Sequence, residues 1–208
     1  MTWLILAAGM ARRFGAAKLL APVKLNTPAE GKAREVPLIE ATIASFCATA
    51  WPVAIVIRED DIALQRALFG LDVQVLSVTS NGIGDSIAAG LQTLLSHSEA
   101  PIETVGIALA DMPLLSSDLL SQLIEYAGPG AVVRPVHKAS GKAGHPVVFG
   151  NSFFPQLMQC SGDSGAQAVV ASAGSRLRLL PTSCEGCIVD VDTPADLQRA
   201  QGLLNLQR

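Results

Sequence analysis

A mostly parallel α/β sheet covered by helices on both faces is the fold this sequence predicts. Three observations carry the prediction. Short apolar, often β-branched runs alternate with longer stretches of helical periodicity. The runs read as strands buried on both faces, which is how parallel sheets are packed. The chain has 208 residues, half of them hydrophobic and only 16% charged, enough for one substantial core. One domain spanning residues 1–208 is therefore expected.

The elements can be taken in chain order. Trp3–Leu6 is the first strand and breaks off into the small residues Ala7, Ala8 and Gly9. A polar stretch from Lys24 to Glu35 reads as a surface loop, either a tolerated insertion or a functional lid. Helix Leu38–Ala48, strand Val53–Ile57, helix Ile62–Leu68, strand Val73–Val78, helix Ile83–Leu95, strand Thr104–Leu109, helix Ser117–Ala127 and strand Ala131–Pro135 come next. These first five strands alternate strictly with helices, the signature of a parallel sheet. Strands Val147–Phe149, Leu177–Leu180 and Ile188–Val191 and helices Gly165–Ala173 and Pro194–Leu204 complete the set. The pattern is less regular between Ala131 and Leu180, which predicts an antiparallel excursion beside the main sheet. Thr193, Pro194 and Asp196 give the last helix its N-cap, first-turn proline and dipole-matched acid.

Charge and cysteine content exclude several classes. A net charge of −3 creates no overall field that would attract nucleic acid or an acidic membrane, so anion binding must be local. The first apolar run is short, lacks a basic leader and is followed at once by arginines, unlike a signal peptide. No segment offers the roughly 18 uninterrupted apolar residues of a membrane helix. A soluble cytoplasmic protein is the expectation. Four cysteines form no disulfide framework in a chain of this size. Cys184 and Cys187 make a C-x-x-C, but no second Cys or His pair has zinc-ligand spacing. They read as small residues flanking a Glu-Gly turn, and Cys47 and Cys160 as small core residues.

In an open α/β sheet, ligands bind beyond the carboxyl ends of the strands. After Leu6 comes AAGMARRFGAAK: glycines that let a backbone approach closely, with Arg12, Arg13 and Lys18. Such a loop suits phosphate, Arg13 gripping oxygens bidentately and Lys18 adding a mobile charge. It has neither the Walker A nor the G-x-G-x-x-G spacing. After Leu109 comes Asp111, a carboxylate just past an apolar strand, where burial is costly unless the group is paired or metal-bound. Ser116, Ser117 and Asp118 already serve to cap the next helix, so Mg²⁺ coordination is the reading for Asp111. Asp190 and Asp192 lie two apart in DVDTP, on one face if that segment is a strand. They are either exposed strand-end acids or the completion of a metal site that also takes substrate phosphates. After Val78, TSNGIGDS opens a helix, and its amides and Ser86 suit either a nucleobase edge or a phosphate that Asp85 would oppose.

GDSG at Gly162–Gly165 matches the nucleophile motif of trypsin-like proteases, but those are all-β, and here the serine precedes a helix in an α/β chain. His145 in GHPVVFG has no partner histidine at metal spacing, leaving strand-start packing or a polar contact to substrate.

Taken in order, LAAGMARRFGAAKLL, ADMP, GHPVVF, GDSGAQ and DVDTPADL resemble the nucleotidyltransferases of molybdenum cofactor maturation. Within them the chain most resembles the CTP:molybdopterin cytidylyltransferases. The resemblance implies a Rossmann-like sheet of the nucleotide-diphospho-sugar transferase kind. It also implies Mg²⁺-dependent transfer of CMP from CTP to the terminal phosphate of molybdopterin, with a molybdoenzyme as client. Leu6, Ala7, Ala8, Gly9, Arg13, Gly15 and Lys18 would hold the nucleotide, and Asn81, Gly82 and Ser86 would meet its base. Lys18, Arg13 and Asp111 would be catalytic, Asp111 with Asp190 or Asp192 would bind Mg²⁺, and His145 and Asp163 would face the acceptor. Cytidine-using members read LAAG where guanosine-using ones read LAGG, so Ala8 favours CTP. The chain departs from the pattern at Ala11, which stands where Ser is common, at Gln167, which replaces a frequent Arg, and in the length of Lys24–Glu35. A guanylyltransferase, a CTP-dependent enzyme for another phosphorylated acceptor, and a non-catalytic cofactor carrier are the alternatives.

Overall fold

The computed structural model describes residues 1–9, 17–26 and 33–205. Its frame is a seven-stranded sheet built from β1 (Thr2–Leu6), β4 (Val53–Arg58), β5 (Gln74–Val78), β6 (Thr104–Leu109), β7 (Val132–His137), β8 (Val147–Gly150) and β9 (Leu177–Thr182). The spatial order is β5-β4-β1-β6-β8-β7-β9. Every pairing is parallel except the two made by β8. The antiparallel excursion is thus inserted within the sheet, between β6 and β7, and not beside it.

Alternating side chains divide the core. Trp3 and Ile5 face a cluster with Ile39, Phe46, Leu64 and Leu120, from α1 (Leu38–Cys47), α2 (Ile62–Leu68) and α4 (Ser117–Glu125). Leu4 and Leu6 face the opposite cluster with Ile87, Leu91 and Leu157, from α3 (Ile83–His97) and α5 (Phe154–Leu157). The helix α6 (Gln167–Ser172) adds Val169 to that second face. No helix among the described residues is long and apolar enough to cross a membrane.

Three readings are corrected. The polar stretch Lys24–Glu35 is not simply a loop. Its flanks form the antiparallel pair β2 (Pro22–Asn26) and β3 (Ala33–Pro37), with Lys24 opposite Glu35. Val23 and Val36 are buried with Leu114, Val191 and Ala200, and the Gln201 side chain donates to the Lys24 carbonyl. This alternation of buried and exposed residues is what makes the flanks strands. Secondly, Ile188–Val191 joins no sheet. A 3₁₀ turn at Glu185–Ile188 leads into extended chain, and the Val191 amide donates to the Asp111 carbonyl at 2.9 Å. Both edges of β6 are already taken, by β1 and β8, so the segment bonds to the loop beyond β6 instead. Thirdly, Cys47 ends α1 exposed and Cys160 is half-buried, so neither is a core residue.

Helix α7 (Pro194–Leu204) begins as expected. The Thr193 hydroxyl accepts from the Asp196 amide, and the Asp196 carboxylate accepts from the Thr193 amide at 2.8 Å. Ser116 likewise caps α4 through the Leu119 amide.

Candidate active site

Strands β1 and β6 lie side by side and end together, the Ala110 amide still donating to the Leu6 carbonyl at 3.1 Å. The loops beyond the two strands therefore meet at one edge. Asp111 lies just past β6. From the β1 side the chain returns at Ala17, whose backbone is left-handed (φ 63°), into a 3₁₀ turn at Lys18–Leu20. A residue with a Cβ held there is strained by about 1 kcal/mol or more, a cost that clusters at functional sites. Arg12, Arg13 and Gly15 lie outside the described residues.

Lys18 carries the central contact. Its ammonium is 2.6 Å from Asp111 Oδ2 and 3.1 Å from Asp192 Oδ1, with only 11% of the side chain exposed. Burial works against the charged ammonium, but the two carboxylates outweigh it, and its pKa lies above the ordinary lysine value. Burial pushes the Asp111 carboxyl above its usual range, against the pull of Lys18, and the nearby charge of Asp190 adds to the rise. Asp111 Oδ1 is buried and has no hydrogen-bond partner among the described residues. Of the two acids in DVDTP, Asp192 joins this contact. Asp190 is exposed and makes no contact with Lys18, although its charge acts on Asp111 from nearby. The segment is extended chain and not a strand of the sheet.

A cleft of about 720 Å³ opens beside these groups. Leu6, Ala7, Gly9, Lys18 and Asp111 line it, with Ile83 at the start of α3. Arg58, Asp60 and Asp61, from the end of β4, line it too. Arg58 holds Asp60 through two bonds, of 3.0 and 2.7 Å. Sequence reasoning passed over this strand end, although the same carboxyl-edge rule selects it. A Cβ at Gly9 would meet nothing within 4 Å among the described residues, which leaves the backbone there open towards the cleft. Ala8, by contrast, is 6% exposed and its methyl is part of the core under α3.

The loop before α3 is held from within. Ser86 is only 2% exposed; its hydroxyl donates to the Gly82 carbonyl and lies 2.6 Å from Ser80 Oγ. Its polar capacity is spent on the loop, and Asn81 and Gly82 are more open. Asp85, read as opposing a phosphate, accepts from the Asn81 amide with one oxygen and from the Gly162 amide with the other. The GDSG turn thus packs on the start of α3. A Cβ on Gly82 or Gly84 would collide with the backbone of Gly162 or Ser161, and Asp163 stands beside Gly82, exposed to solvent.

His145 sits at the start of β8, which is antiparallel and so delivers its first residue to the same edge. Its amide donates to the Cys187 carbonyl at 2.8 Å, and its Nδ1 is buried without a partner. Burial, aided by the charge of Arg134, lowers the imidazole pKa to about 4 against the opposing Ile107 carbonyl and Asp190. The ring is therefore neutral at neutral pH. Arg134, on β7, donates Nε to the Gly144 carbonyl and makes no ion pair among the described residues. It was missed because a lone cation in an apolar strand has no motif around it. The C-x-x-C turn supports both sides: Gly186 fits against the Leu114 carbonyl, and Cys187 lies under Gly144. Burial raises the Cys187 thiol to about 11, which makes it an unreactive packing group. No cluster of three His, Cys, Asp or Glu side chains suited to a metal occurs among the described residues.

The model of the MobA-like NTP transferase domain matches residues 3–178. The chain belongs to that family. A MobA-like relative, the purine catabolism protein PucB of Bacillus subtilis (strain 168), is 27% identical over 203 residues, which cover 92% of this chain and 91% of PucB. Among solved structures, a nucleotidyl transferase from Methanothermobacter thermautotroptrophicus superposes with a TM-score of 0.79 at 20% identity, covering 100% of this chain and 98% of its own. Rv0371c of Mycobacterium tuberculosis, solved in complex with manganese, gives a TM-score of 0.74 at 22% identity and 97% coverage of both chains. Their fold is the one described above, and this MobA-like chain is a nucleotidyltransferase.

Proposed function

We propose that this MobA-like transferase moves CMP from CTP to the terminal phosphate of a phosphorylated pterin, molybdopterin or its molybdenum-bearing form. The observation that carries the reading is the Lys18 ammonium gathered with Asp111 and Asp192 at the shared end of β1 and β6. An acceptor phosphate oxygen attacks the α-phosphorus of CTP and forms a new P–O bond. The bond from that phosphorus to the α,β-bridging oxygen breaks, and its electron pair leaves with pyrophosphate. The attacking oxygen is already anionic, so positioning and charge neutralisation suffice without a general base. Lys18 supplies a cation at the α-phosphate, and the open backbone at Gly9, with Arg13 and Gly15 by resemblance, holds the leaving pyrophosphate.

Asp111 and Asp192 fit a divalent cation, since Asp111 Oδ1 is an oxygen ligand without a partner among the described residues. Bound there, Mg²⁺ would neutralise charge on the triphosphate. Ala8 supports CTP by resemblance, as the LAAG reading of the cytidine-using members. The base would lie against Asn81 and Gly82, whose loop Ser86 braces. The acceptor would lie over β8 and β7, between Asp163 and the neutral ring of His145. Arg134, a cation with no carboxylate partner among the described residues, suits its phosphate, a role left open by Gln167. A molybdoenzyme client is what the resemblance implies, and the name of the Bacillus relative places that relative in purine catabolism.

The test is pyrophosphate release with each of the four nucleoside triphosphates, with and without a phosphorylated pterin. Release with CTP and pterin together is expected. GTP preference would overturn the assignment made from Ala8, and CTP turnover with a different phosphorylated acceptor would overturn the pterin assignment. Nucleotide binding without release under any acceptor would mark a carrier.

A further inference from the structure

We propose that Lys18 and the divalent cation are alternative occupants of one position, so that nucleotide, by drawing Lys18 away, opens the metal site. The inference rests on the reading of Asp111 and Asp192 as the carboxylates that hold metal. Both place an oxygen on the Lys18 ammonium, at 2.6 and 3.1 Å. A divalent cation that took both carboxylates would need the oxygens that Lys18 now holds, beside the free Asp111 Oδ1, and would be pressed against a buried positive charge. The two occupants exclude each other.

The carboxylates stay in place when the lysine leaves. The Val191 amide bonds to the Asp111 carbonyl at 2.9 Å, tying the two loops together through backbone. The Asp192 amide faces Asp196 Oδ2 at 3.3 Å, which anchors it to the cap of α7. Neither bond involves Lys18. The four-carbon lysine stem can swing to a triphosphate in the adjoining cleft, which Lys18 and Asp111 both line. Because coupling is reciprocal, nucleotide tightens metal binding and metal tightens nucleotide binding. Lys18 thereby compensates two carboxylates in the empty enzyme and a phosphate in the loaded one.

The experiment is titration of the whole chain with Mn²⁺ alone, followed by calorimetry or by electron paramagnetic resonance. Wild type, Lys18→Met and Lys18→Gln are compared, each checked for a cooperative melt; two neutral replacements guard against one failing to fold. Although turnover is lost, the neutral variants should bind Mn²⁺ at least about tenfold more tightly than wild type. Adding Asp111→Asn to either should abolish that gain. A non-hydrolysable CTP analogue should tighten Mn²⁺ binding in wild type more than in the variants. Equal or weaker Mn²⁺ binding by the variants would overturn the proposal. Because the titration contains no acceptor and begins without nucleotide, it can fail while cytidylyl transfer stands, and the reverse.

Discussion

Among the described residues along the carboxyl edge of the sheet, Lys18 beyond β1 and Arg58 at the end of β4 are ion-paired, whereas Arg134 on β7 is not. Lys18 lies on Asp111 and Asp192, and Arg58 on Asp60. Across β8 the edge holds a neutral imidazole with a buried, unpartnered nitrogen and a guanidinium bonded to one backbone carbonyl. On the proposed reading, the difference reflects the ligand each half awaits. A triphosphate brings several negative charges and a cation with it, and its site carries internal counter-charges when empty. A single phosphate on a flat heterocycle calls for one cation and groups that hydrogen-bond without charge. Burial enforces this on His145, where it disfavours the protonated ring.

The comparison breaks most visibly at Asp111. Asp111→Asn should lower turnover by about a hundredfold or more, near 3 kcal/mol of transition-state stabilisation, with the melting temperature little changed. Steady-state kinetics beside a thermal melt checks both halves of that statement. Near-normal turnover would remove the paired half from the chemistry.

His145 tests the neutral half. Its pKa of about 4 lies below the 6.5 of an exposed histidine, so between those values the unfolded chain binds more protons. Stability is thus fully present above pH 6.5 and falls as pH drops towards 4, by up to about 3 kcal/mol from this group. Urea unfolding across that window should show the loss, and His145→Gln should flatten it. An unchanged slope in the variant would mean that the ring titrates normally in the folded chain.

Arg134→Gln gives the smallest effect and the sharpest division between the halves. The acceptor KM should rise about tenfold, as expected for loss of one charge-assisted contact, while the KM for CTP stays the same. A shift in the KM for CTP instead would place Arg134 with the nucleotide.

Much of the fold was legible because it is written locally. Apolar runs of strand length and the cap at Thr193 located β6, α2 and α7 to the residue. The order of strands was not, since periodicity does not say which edge a strand joins, and β8 lies inside the sheet for tertiary reasons. The run Ile188–Val191 has the composition of a strand, but its backbone groups bond elsewhere. Asp111 could be singled out because a carboxylate past an apolar strand is costly. Lys18 could be singled out as well, but not its pairing with the acids, for it is 93 residues from Asp111 and 174 from Asp192. Arg58 and Arg134 went unseen because each is a single cation whose meaning comes from the neighbours folding gives it.

The most direct test of nucleotidyl transfer at this edge is the structure of the chain bound to CTP and Mg²⁺. The α-phosphate should lie at Lys18 and the ion between Asp111 and Asp192, with an open acceptor cleft running from the α-phosphate over His145 to Arg134. A triphosphate seated away from Lys18, or an ion held by Asp190 instead, would contradict the proposed site.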